Sequence, residues 1–300
     1  MAFGFGTADF LPGRKGRVSN DEETEKASAL DDVVRGAKMN LRVIVALIFR
    51  EAAMRFGTSP FSYVWTLVEP AVFITILLSA RIYIKNVNPA FGESSVLFLL
   101  TGLVALRATR NIINKGGRAI TANRSLFAFG AVKPPDAVIA RTILEFTIYS
   151  LILAMFFTAV ARIMQQEVIT NFQGFVLAML LILYFCISMS LFNATVGALI
   201  PVWRSIWKMM SMPLLVTSGI LFVPAQMPPE ILNIIIWNPF LHCVEALRSN
   251  SYLDYLTVYD PHYLLGFTTT VFILSLSIER LYRNEIIRSK GDEDDEEDVV

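Results

Sequence analysis

Of 300 residues, 54% are hydrophobic and only 17% charged, a balance that excludes an ordinary soluble domain. Several apolar runs approach or exceed the roughly 20 residues that cross a bilayer core, so the sequence reads as an all-α, multi-pass membrane protein. Lys plus Arg equals Asp plus Glu at 26 each, but seven of the acids lie in Asp292–Asp298, which leaves 26 basic against 19 acidic residues elsewhere.

In chain order, residues 1–31 are polar, rich in Gly and acids, and lack the basic-then-apolar pattern of a cleaved signal peptide. They read as a flexible cytoplasmic lead. Residues 32–57 come next. Arg35, Lys38 and Arg42 share one helical face while Leu41, Val45, Ile48 and Ala52 fall largely elsewhere. That pattern predicts an amphipathic helix lying in the membrane interface. A core of six spans is expected over 58–285, at about Val64–Ile84, Ser94–Leu106 (short, and extending past Arg107, whose side chain can snorkel), Ala137–Ala161, Phe175–Ile200, Met209–Val223 and Leu264–Leu281. Between spans two and three, the basic connection predicts a short helix around Ile112–Ala122, then a loop with Phe127 and Phe129 exposed. Between spans five and six, Pro224, Pro228, Pro229 and Pro239 bracket a short apolar run. This predicts two short re-entrant helices, since non-helical backbone survives at depth only under cover. The tail 286–300 is acidic and low in complexity.

Lys and Arg concentrate in the connection Arg107–Arg141, at Arg204 and Lys208, and after span six. The positive-inside rule then places both termini in the cytoplasm and the proline-rich hairpin outside.

The ionisable residues expected at membrane depth are Glu69, Arg81, Arg107 and Glu145. Glu145 has Arg141 four residues earlier, the spacing of an ion pair within one helix. Glu69 sits early in span one, where the helix dipole favours a carboxylate, and Pro70 loosens that turn. There is no G-x-x-x-x-G-K-[ST] phosphate loop, no G-x-S-x-G and no H-E-x-x-H. His242 and Glu245 are two ligand types without a third, so hydrogen bonding is the expected role and no metal is expected. Cys186 and Cys243 have neither disulfide-framework nor metal-ligand spacing.

Three stretches, "RFGTSPFSYVWTLVEP", "ANRSLFAFGAVKPPDAVIARTILE" and "WNPFLHCVEALR", with six spans around them, resemble the membrane subunit of bacterial ABC exporters of the capsular polysaccharide family. The likeness covers roughly 35–285. It implies a homodimeric channel in the bacterial inner membrane, with ATP and magnesium bound by a dimer of cytoplasmic ATPase subunits and no cofactor in this chain. It also implies a lipid-linked polysaccharide as cargo, with a periplasmic copolymerase and an outer-membrane channel as further partners and no nucleic acid. By this likeness Trp65, Glu69 and Phe73 lie near the channel. The cytoplasmic coupling element draws on Arg118, Asn123, Phe127 and Lys133. The outward gate draws on Trp237, Asn238, His242, Glu245 and Arg248. Carbohydrate passes over aromatic faces, with cations where the sugar is acidic, which adds Tyr184, Trp207 and Arg55 as candidates. The same architecture serves O-antigen, teichoic acid or a small drug. A proton-coupled secondary transporter using Glu69 or Glu145, and an intramembrane hydrolase at His242 and Glu245, are the readings from other classes. The absence of a paired repeat argues against the first, and the absence of a nucleophile constellation against the second.

Overall fold

The computed structural model describes residues 35–55, 95–127, 132–165, 167–220 and 222–288, with Val68, Val72, Thr75, Ile76 and Ser79 as helical positions between the first two stretches. Trp65, Glu69, Phe73, Arg81 and Phe129, and both terminal segments, lie outside the described residues. Among those described there are helices and no strands. We number them α1 (35–55), α2 (Ser95–Gly117), α3 (Ala119–Ala122), α4 (Arg124–Phe127), α5 (Pro134–Met164), α6 (Phe172–Leu199), α7 (Trp203–Val216), α8 (Pro229–Ile235), α9 (Pro239–Ser251) and α10 (Pro261–Arg288).

Among the described residues, three helices are long and apolar enough to cross a membrane: Pro134–Ile163, Phe172–Leu199 and Pro261–Ile287. They overlap the stretches expected as spans three, four and six. Their starts are written in the sequence. Asp136 accepts from the Lys133 N–H at 3.0 Å, with prolines opening α5. Asn171 accepts from the Gly174 N–H at 3.0 Å at the start of α6. Asp260 accepts from the His262 and Tyr263 N–H groups at 2.8 and 3.1 Å, ahead of Pro261. Each side-chain oxygen satisfies a donor that the first helical turn leaves unpaired.

The expected span two extends past Arg107, as anticipated, but runs 23 residues to Gly117, so most of the separate helix expected around Ile112–Ala122 is the end of α2. Only α3 and α4 stand apart, four residues each. The reason lies in the packing. Charged positions interrupt the apolar pattern, but α2 is covered by α5, α6 and α9, so its length is set by neighbours rather than by hydropathy. At Gly116 an added Cβ would lie 2.4 Å from Ser190 Oγ and 2.6 Å from Thr142 Oγ1, so the glycine permits the close crossing with α5 and α6. The expected span five is the 14-residue α7 with Pro213 inside it. That length covers about 21 Å, short of a bilayer core.

The proline-bracketed segment forms two short helices, as expected. Pro229 opens α8 and Pro239 opens α9, where a missing N–H costs nothing. Asn238 caps α9, accepting from the Phe240 N–H at 3.0 Å.

One correction concerns Phe127. It is 5% exposed, not at an open tip, and packs with Ala119, Ile120, Ala137, Val138, Leu191 and Ile286. The basic residues around it suggested an exposed loop. The aromatic instead fills the gap where α3 and α4 meet α5, α6 and the end of α10.

Candidate functional site

The region with the densest convergent chemistry is where α2, α6 and α7 meet, at the end of the molecule that carries α3 and α4. A cavity of about 270 Å³ is lined by Arg110, Arg118, Arg204 and Lys208, with Asn114, Asn193, Trp203 and Trp207 between them. Among the described residues no acidic side chain lines it. Sequence builds half of this wall within six residues. In "WRSIWK" the two indoles are four residues apart, and so are the two cations. One helical turn therefore stacks Trp203 over Trp207 and Arg204 over Lys208. The indoles are fixed by hydrogen bonds. Trp203 Nε1 donates to Asn193 Oδ1 at 2.9 Å, and Trp207 Nε1 donates to Asn114 Oδ1 at 2.8 Å. Arg204 Nη2 donates to Thr121 Oγ1 at 2.6 Å, tying the cavity wall to α3. Burial, and then the neighbouring Arg204, lowers the pKa of Arg124. A concave surface of one sign concentrates its field and attracts anions.

A second cavity, of about 490 Å³, shares Arg118 with the first. It is lined by Glu51, Arg55, Lys115, Arg141 and Glu145 as well. Glu145 is almost fully buried. Its carboxylate bonds to Arg55 on α1 and accepts from Lys115 Nζ on α2 at 3.1 Å. The expected pairing with Arg141 on its own helix is therefore corrected. The face of α5 that carries Glu145 looks onto α1 and α2, and the cations there take it.

Next to this cavity, Asn123 is 1% exposed and bridges two residues of α1. Arg50 Nη1 donates to Asn123 Oδ1 at 2.7 Å, and Asn123 Nδ2 donates to Glu51 Oε1 at 2.6 Å. Of the four residues expected to couple to a partner, Arg118 and Lys133 face outward, whereas Asn123 and Phe127 face inward.

At the opposite end of α2, the hairpin forms a second constellation. Arg248 is completely buried. It donates to the carbonyls of Gly219 at 2.6 Å, Ile220 at 2.8 Å and Phe98 at 3.3 Å. Its guanidinium carbon lies 3.7 Å above the Phe98 ring. Glu245, 3.7 Å from Arg248 and equally buried, accepts from Tyr255 OH at 2.7 Å and Thr257 Oγ1 at 3.2 Å. His242 Nε2 lies 2.8 Å from the Ile236 carbonyl, and its Nδ1 takes the Asp260 N–H at 3.2 Å. That pairing sets the Nε2–H tautomer. Asn238 Nδ2 donates to the Leu214 carbonyl and to Thr217 Oγ1, both at 2.8 Å. Trp237 is exposed and meets Tyr263 edge-on at 5.9 Å. The five expected gate residues thus form one neighbourhood. Asn238, His242, Glu245 and Arg248 hold backbone together, and Trp237 alone presents its side chain outward. No group of three or more His, Cys, Asp or Glu able to hold a metal occurs among the described residues.

Of the expected channel candidates, Trp207 lines the first cavity and Arg55 the second. Tyr184 lies elsewhere, between α6 and α10, with its hydroxyl 3.4 Å from Thr269 Oγ1 and its ring against Phe272. The sequence reading missed Trp203, Asn114 and Asn193. The four-residue repeat of Trp followed by a cation was the available signal.

Comparison with known proteins gives the same picture. A family model described as ABC-2 type transporter matches residues 42–252. The chain is 30% identical over 255 residues to the polysialic acid transport protein KpsM of Escherichia coli, covering 85% of this chain and 98% of that protein. It is 25% identical over 258 residues to the capsule polysaccharide export inner-membrane protein CtrC of Neisseria meningitidis serogroup A, covering 86% and 96%. It is 26% identical over 219 residues to the capsule polysaccharide export inner-membrane protein BexB of Haemophilus influenzae, covering 73% and 82%. With a family match over most of its length, three helices fit to cross a membrane and near full-length relatives, this chain belongs to the ABC-2 type transporter family.

Proposed function

We propose that this chain is the membrane subunit of an ATP-driven exporter that moves a lipid-linked capsular polysaccharide across the bacterial inner membrane. The observation that carries the reading is the alignment with capsule-export proteins across nearly their whole lengths. The cavity of four cations and two indoles supports an acidic glycan as cargo, because cations attract its carboxylates and indoles stack on sugar faces. The chain itself is a transport subunit, not an enzyme. With no phosphate loop in the sequence, ATP and magnesium belong to a dimer of cytoplasmic ATPase subunits.

In this reading two copies form the channel. Residues 58–285 carry six spans, with 64–84, α2 and the region of α7 adding to the three long apolar helices. The leading segment 1–31, the interfacial helix 32–57 and the acidic tail 286–300 are cytoplasmic. The α8–α9 hairpin faces outward, toward a periplasmic copolymerase and an outer-membrane channel. Arg118 and Lys133 face the ATPase. Asn123 and Phe127 support that surface from within. Arg55, Trp65, Glu69, Phe73 and Trp207 line the cargo path.

The test is deletion of the gene in its own host, with complementation by the wild-type chain. Surface capsule should be lost and polymer should accumulate inside the cell, both restored by the complementing copy. Unchanged capsule together with loss of a different surface polymer would assign the architecture to another cargo and reject this one.

A further inference from the structure

The last helix ends in a packed cluster whose neighbours in sequence line the basic cavity. Ile286 is fully buried in a cluster with Ala119, Ile120, Ala194 and Ala198. Gly117, Arg118 and Asn193, immediate neighbours of that cluster in sequence, line the cavity with Arg110, Arg204 and Lys208. The end of α10 and the cavity therefore flank one packed cluster, at the same end of the molecule. After Arg288 come Ser289, Lys290 and Gly291, then seven consecutive acids, Asp292–Asp298. At about 3.3–3.6 Å per extended residue, Asp292 can reach roughly 13 Å from Arg288 and Asp298 roughly 35 Å. Four cations, in a cavity that no acid among the described residues lines, are complementary to seven carboxylates on a short tether. Tethering raises the effective concentration of such a segment to the millimolar range.

We propose that Asp292–Asp298 seats in this chain's own cavity between α2, α6 and α7, as a tethered anion that an anionic cargo must displace. The carboxylates accept from the Arg204 and Lys208 side chains along the open edge of α7, and the indoles form the floor. Occupancy by the tail keeps small anions out of the cavity until a polyanion with more contacts competes for it. The inference goes beyond the export reading, since the contact exists whether or not the cargo is capsule.

The experiment uses the full chain in nanodiscs with two added cysteines, Ser205→Cys at the exposed cavity rim and Glu296→Cys in the tail. Native Cys186 and Cys243 are buried and do not compete. Mild oxidation should form a disulfide within one chain. Its rate should fall about tenfold in 1 M NaCl, where the Debye length is about 3 Å. A similar fall is expected when the six other acids of Asp292–Asp298 become Asn or Gln, when Lys208→Glu is introduced, or when long-chain inorganic polyphosphate, a polyanion, is added. Tryptophan-fluorescence melting of each variant shows that it is folded. A neutralised tail that cross-links at the wild-type rate would show that reach alone brings the sites together, and would overturn the proposal. So would absence of the disulfide, or a disulfide joining two chains.

Discussion

Arg248 shows how one side chain fixes the hairpin end of the molecule. A guanidinium carries five donors in a rigid fork, and here the fork spans carbonyls from α2 and from the segment after α7. Gly102 makes room for it, because a Cβ there would lie 2.5 Å from Nη2. Arg248→Ala would leave Glu245 charged and buried beside Tyr255, a change that typically costs about 3–5 kcal/mol. The variant should therefore melt well below wild type in detergent, followed by tryptophan fluorescence. Arg248→Lys should fall between the two, since an ammonium keeps the charge but not the fork. Equal melting of Arg248→Ala and wild type would show that the carbonyls are held by something else. The motif containing Arg248 was visible in the sequence, but its role was not. Its partners Phe98 and Gly219 lie 150 and 29 residues away, and no local pattern encodes them.

At the scale of elements, α1 is bolted to the turn between α3 and α4 through Asn123. The amide both accepts from Arg50 and donates to Glu51, so it recognises two adjacent residues of opposite charge. Asn123→Ala leaves Arg50 and Glu51 without that partner. Losing a buried hydrogen-bond partner costs about 1–3 kcal/mol, so amide exchange in the second half of α1 should speed up by about tenfold or more. Asn123→Asp should be worse, because a carboxylate would face Glu51. Unchanged exchange in both variants would show that α1 is held by other contacts. The helices of this region also mark the limit of sequence reading. Long apolar runs announced α5, α6 and α10, and prolines announced α8 and α9, because those signals are local. The merger of α2 with most of the helix expected around Ile112–Ala122, the inward turn of Phe127 and the partners of Glu145 depend on neighbours far along the chain. Composition there pointed to an exposed basic loop, and packing overrode it.

For the whole molecule, the two constellations lie at opposite ends of α2, with Phe98 at one end and the turn into α3 at the other. Paired cysteine labelling reads that separation directly. Ser125→Cys should react only with reagent supplied from the cytoplasm, and Trp237→Cys only from outside, while buried Cys186 and Cys243 contribute little background. Reaction of Ser125→Cys from outside would invert the topology argued from Lys and Arg. The continuity of α2 has a mechanical consequence. A helix of 23 residues is a stiff lever about 33 Å long. A tilt of about 5° around one end swings the other by about 3 Å, close to the full length of a hydrogen bond. Arg248 grips the tip of that lever through the Phe98 carbonyl at 3.3 Å. A swing too small to disturb the packing near Gly116 is thus large enough to unfasten the hairpin end from α2.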